Sequence, residues 1–202
     1  MENEKQLSPQ ESIALIQAMI DKTKTNVAND AFYFLLWGWL TFTICIVQYI
    51  LMVWIKYPYH YYAWFLIWIG VVVLVFRSLK KKENKKVVSY VDDSMQYLWT
   101  GMGITFFVMG WICAVNEWHN CFPIFIVLYA AGTFISGSLL KFKPFIAGGI
   151  FCWLIAPTSA YFSYENQILF TALALMISYI IPGHLLKMKY QKQNVQHILN
   201  DQ

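Results

Sequence analysis

Glu117, His119 and Cys121 occupy alternate positions in a short polar interruption between two apolar runs, and His60 and Glu165 fall in two further interruptions of the same kind. Carboxylate, imidazole and thiolate together ligate zinc and related transition metals, so these five residues are the candidate metal ligands of the chain. Their spacing fits neither the close cysteine pair nor two histidines one helical turn apart, and a solvated rim with no ion is the competing reading. Other chemistry-bearing patterns are missing from the sequence. There is no His pair with Glu on a helix, no Gly-x-Ser-x-Gly elbow and no glycine-rich loop opening a helix. The sequence thus points away from an enzyme and calls for no cofactor.

The elements that would carry this rim are apolar and long. Hydrophobic residues make up 58% of the 202-residue chain and charged ones 13%, where a soluble domain has about 25%. Six stretches, 31–55, 59–76, 97–115, 122–140, 144–162 and 167–186, are each long enough to cross a hydrocarbon core about 30 Å thick at about 1.5 Å per residue. The expected fold is all-α: a polytopic membrane bundle of six transmembrane helices, residues 30–187, with a short N-terminal amphipathic helix in a segment 1–29 and a tail 188–202. Helical hairpins in series would explain the repeated Leu-Lys endings at Leu79-Lys80, Leu140-Lys141 and Leu186-Lys187, but basic residues at inner span ends produce the same pattern.

Charge orients the bundle. With six spans both termini share a side, and fourteen of the fifteen Lys and Arg residues then fall on it: Lys5, Lys22 and Lys24; Arg77, Lys80, Lys81, Lys82, Lys85 and Lys86; Lys141 and Lys143; Lys187, Lys189 and Lys192. Only Lys56 lies opposite. Basic residues near span ends stay in the cytoplasm, so both termini are expected there, in a plasma or inner membrane. The positive charge serves topology and contact with anionic lipid headgroups, and nucleic acid is not an expected partner. The N-terminus lacks the short apolar core and cleavage site of a secretory signal, so the first span is expected to act as an uncleaved insertion signal.

Ser8, Pro9 and Glu11 spell a capped helix start, followed by Ile13, Leu15, Ile16, Met19 and Ile20 at helical spacing. This amphipathic helix either lies along the inner membrane surface or docks a cytoplasmic protein through residues 8–24. Asp92 and Asp93 are placed to cap the third span and complement its positive end. Small residues at Gly101 and Gly103, at 130–132 and 136–137, and at 147–149 predict that the third, fourth and fifth spans pack most tightly. The four cysteines, too few for a disulfide framework, read as packing residues. Pro157, with Thr158 and Ser159, either bends the fifth span or opens a polar lining.

No ionisable residue lies in the central part of any span, which argues against a proton relay; Gln48 is the deepest strongly polar group. Two functions remain: a non-enzymatic membrane scaffold or regulatory partner, and a small passive transporter or channel for a neutral solute. The runs Leu7-Ser8-Pro9-Gln10-Glu11-Ser12, Met19-Ile20, Phe32-Tyr33-Phe34-Leu35-Leu36-Trp37-Gly38-Trp39 and Ile181-Pro182-Gly183-His184 resemble a family of small six-span membrane proteins of the Bacteroidetes group. That resemblance implies a bacterial inner membrane and carries no defined activity or site.

Overall fold

The computed structural model describes residues 31–81, 90–115 and 120–200. The amphipathic helix expected within residues 8–24, and Glu117 and His119, lie outside these described residues. Helices make up nearly all of the described chain, and it contains no strand. Helix α1 (Ala31–Trp54) ends in a π-helical turn, Ile50–Trp54. A 3-10 segment, His60–Leu66, leads into α2 (Ile67–Lys81). Then come α3 (Tyr90–Val115), α4 (Cys121–Leu139) and α5 (Lys143–Ser159). Helix α6 (Tyr164–Leu175) runs through a π-helical turn, Met176–Ile180, into α7 (Ile181–Asn200), so the tail is helical as far as Asn200.

Among the described residues, five helical stretches are long and apolar enough to cross a membrane: Ala31–Trp54, His60–Arg77, Asp93–Val115, Cys121–Leu139 and Tyr164–Lys189. Helix α5 has 17 residues, or about 25 Å at the helical rise, and is shorter than these. The start of α3 corrects one expectation. The helix is already formed at Tyr90, so Asp92 and Asp93 lie within it instead of ahead of it, where a cap would stand.

Turn chemistry sets the hairpins. Helix α4 stops because Lys141 takes a left-handed conformation (φ 49°), with Phe142 N–H bonded to Gly137 O at 2.8 Å and Lys141 N–H to Ser138 O at 3.2 Å. This is the paired closure that usually has glycine at the left-handed position. Pro144 then opens α5, where its missing N–H is no loss. In the last span Pro182 cannot donate to the Ser178 carbonyl, and its ring would press on that carbonyl in a regular helix. The wide turn Met176–Ile180 accommodates it, with Ile181 N–H returning to Met176 O.

The core lies among α1, α4, α5 and the last span. Phe34, Phe145, Ile168, Leu175 and Tyr179 are buried at its centre, and the Phe34 and Phe145 rings sit 4.2 Å apart. Glycines let the backbones approach. A Cβ on Gly149 would lie 2.8 Å from Phe134 Cβ and 2.9 Å from Ala130 O, and one on Gly148 would lie 3.0 Å from Ile177 O. Here the small-residue reading holds for α4 and α5 but fails for the third span. Gly101, Gly103 and Gly110 of α3 have nothing within 4 Å of an added Cβ. Lipid is as apolar as another helix, so small residues on one face create the opportunity for contact without forcing it. The difference extends to whole spans: 44% of α4's span and 56% of the last span are buried, against 6% for α3 and 11% for α2.

Candidate functional site

The polar groups that the fold gathers lie at the end of the bundle where α1 ends and α4 and α6 begin. Gln48, fully buried, is the hub. Trp64 Nε1 donates to Gln48 Oε1 at 2.7 Å, and Gln48 Nε2 lies 3.3 Å from His60 Nδ1. An indole N–H can only donate, so the amide must turn its oxygen to Trp64 and its NH₂ to His60. Nδ1 of His60 is then the acceptor, and the neutral ring carries its hydrogen on Nε2. Three elements are joined this way: Gln48 comes from α1, His60 and Trp64 come from the 3-10 segment, and Phe122 of α4 packs 6.3 Å from the Trp64 ring.

Nearby, Asn120 starts α4 in a left-handed conformation (φ 56°) and accepts from Gln167 Nε2 of α6 at 2.9 Å; the same nitrogen donates to Phe162 O at 3.0 Å. Cys121 is disulfide-bonded to Cys113 across eight residues. This corrects the reading of all four cysteines as packing residues. Cys45 and Cys152 are free and buried, whereas the end of α3 and the start of α4 bring the other two Cα atoms to 5.9 Å. That distance falls in the range a disulfide requires.

Of the five rim candidates, His60 has one ring nitrogen engaged by Gln48, Cys121 has no free thiolate while the disulfide stands, and Glu165 is exposed in the first turn of α6. Among the described residues no group of three His, Cys, Asp or Glu side chains could hold a metal ion. Glu117 and His119 lie outside them. The Gln48 hub escaped the sequence reading although its signals were present: a lone amide in an apolar span, and Trp64 four residues after His60 in the next.

Deeper in the bundle most hydroxyls bond to their own helices. Thr133 donates to Tyr129 O at 2.7 Å, Ser178 to Ala174 O at 2.7 Å and Thr171 to Gln167 O at 2.9 Å. Thr158 and Ser159 do likewise, to Ile155 O and Ala156 O, so the segment around Pro157 keeps its hydroxyls to itself instead of lining a polar path. Among the described residues, three buried side-chain atoms have no hydrogen-bond partner: Ser136 Oγ, Gln167 Oε1 and Tyr179 OH. The Tyr179 ring is boxed by Phe34, Trp99 and Tyr129 at 5.6, 6.0 and 5.6 Å.

Helices of this length and apolarity, with a core closed by aromatic rings and helix-bonded hydroxyls, define the class: an all-helical, membrane-spanning bundle. No sequence-family model matches the chain, and neither a curated protein nor a solved structure matches it.

Proposed function

We propose that the chain is a six-span protein of a bacterial inner membrane, with both termini in the cytoplasm, acting without catalysis as a scaffold or regulatory partner for another membrane or cytoplasmic protein. The observation that carries this reading is the division of the bundle. Helices α1, α4, α5 and the last span bury one another, while α2 and α3 leave 89% and 94% of their spans unburied, being only 11% and 6% buried. Helix α3 turns Ile104, Phe107, Trp111 and Val115 outward together with open glycine positions. A hairpin that contributes so little to the core is available for lateral contact with another helix. The orientation is supported by the fourteen-to-one distribution of basic residues and by the disulfide at the opposite end, since such bonds persist in oxidising compartments.

Passage of a neutral solute is the second reading, favoured by the unpartnered hydroxyls of Tyr179 and Ser136 inside the bundle. Photo-crosslinking side chains placed at Ile104 and Phe107, with a control at buried Ile168, test the first. Protein adducts of discrete mass from α3 alone support a lateral partner. Lipid adducts alone, together with uptake of a neutral solute by vesicles containing the purified chain, overturn it in favour of passage.

A further inference from the structure

The turn after α1 presents an imidazole N–H beside an ammonium group. Because Trp64 fixes the Gln48 amide, and that amide fixes His60 Nδ1 as an acceptor, His60 Nε2 carries a hydrogen. Among the described residues nothing accepts it. The same turn carries Lys56, in a left-handed conformation (φ 55°), and the half-exposed phenols of Tyr57, Tyr59, Tyr61 and Tyr62, with the Tyr61 ring 5.9 Å from the imidazole. These rings touch one another, Tyr59 and Tyr62 nearly parallel at 5.4 Å and the other pairs edge to face, so they form one continuous surface. Residues 31–82 contain no Asp or Glu, so Lys56 has no acidic neighbour within its own segment.

We propose that residues 56–62 form a docking surface for the phosphate of a phospholipid headgroup, with the His60 Nε2–H and the Lys56 ammonium directed at the phosphate oxygens and the tyrosine rings seated among neighbouring headgroups. Three observations select this occupant. The surface lies at a span end, where Tyr and Trp rings meet the headgroup layer. It carries two groups that can only donate, the Lys56 ammonium and the His60 Nε2–H, which suit an acceptor-rich anion. An imidazole N–H at the edge of hydrocarbon needs an acceptor close at hand, because leaving it unpaired there is costly. Trp64 and Gln48 are positioning residues: they act by setting which nitrogen of His60 is protonated.

Solid-state NMR on the full chain with ¹⁵N-labelled histidine tests this. In phosphatidylcholine bilayers, which avoid net attraction to the basic inner loops, the His60 Nε2 hydrogen should show magnetisation transfer to lipid phosphorus. That signal should vanish in His60→Phe and weaken in Lys56→Gln. Trp64→Phe frees the amide to turn, and part of the His60 population should move its hydrogen to Nδ1, an effect that simple loss of packing would not produce. In galactolipid bilayers with inorganic phosphate added, no transfer is expected. A hydrogen on Nδ1 in the wild type, or no transfer in phosphatidylcholine, overturns the proposal. Equal transfer from inorganic phosphate replaces a lipid site with a free-anion site and overturns it as stated.

Discussion

Replacing Gly149 and Gly103 separately by alanine should separate helix packing from helix propensity in one chain. A Cβ on Gly149 would meet Phe134 Cβ at 2.8 Å, Ala130 O at 2.9 Å and Phe134 N at 3.0 Å, and ordinary contact begins at 3.4 Å. Two of these are backbone atoms that cannot swing aside. Helices α4 and α5 must therefore part by about 0.6 Å (3.4 less 2.8), and close-packed interiors transmit such a shift along the interface instead of absorbing it. Overpacking of this kind costs about 1–3 kcal/mol. Alanine also gains up to about 1 kcal/mol over glycine within a helix. Gly103 meets nothing within 4 Å, so its substitution carries the propensity gain alone. Subtracting one variant from the other cancels that gain and leaves the clash, so Gly149→Ala should be less stable than Gly103→Ala by about 1–3 kcal/mol. Reversible denaturant titration in mixed micelles, followed by circular dichroism, measures the difference. Equal stabilities, or a less stable Gly103→Ala, would refute the close α4–α5 contact and the open face of α3 together.

Cys121 and Cys113 should resist a membrane-impermeant thiol reagent in intact cells until a reductant is added and then label, while a cysteine placed at Lys82 stays unlabelled throughout; the opposite pattern inverts the topology. Replacing both with serine should destabilise the fold by about 2.5 kcal/mol from the entropy of an eight-residue loop, measured by the same titration. Gln48→Leu leaves the Trp64 N–H unpaired and should cost about 1–2 kcal/mol, with Trp64→Phe adding less than its separate effect because both act on one hydrogen bond. Replacing Ile16 and Ile20 with Asp should leave membrane insertion intact and abolish capture of a cytoplasmic partner; failure to insert would make that segment part of the bundle. If the rim groups converge on an ion once the disulfide is reduced, zinc binding at neutral pH falls in His119→Ala, and unchanged binding removes the outer rim as a metal site.

Hydropathy and length alone determine that this chain is a helical membrane bundle, because a backbone in hydrocarbon must satisfy its own hydrogen bonds and a helix does so within one segment. Basic residues at span ends likewise carry an expected orientation, a property of sequence position and not of contact. Neighbours are not encoded so directly. Gly103 and Gly149 are the same residue in equally apolar spans, yet one faces open space and the other a backbone, since nothing in lipid drives a small-residue face toward a particular helix. Lys141 ends α4 in a conformation usually left to glycine, so that stop had no local signal, and the start of α3 before Asp92 overrode a plausible cap. Cys113 and Cys121 needed only eight residues of spacing to pair, but spacing cannot say that two helix ends will bring their Cα atoms to 5.9 Å. The state of His60 is the most distant consequence of all. Its tautomer depends on an indole four residues away and an amide twelve residues back, and only the tertiary fold brings those donors and acceptors within hydrogen-bond reach.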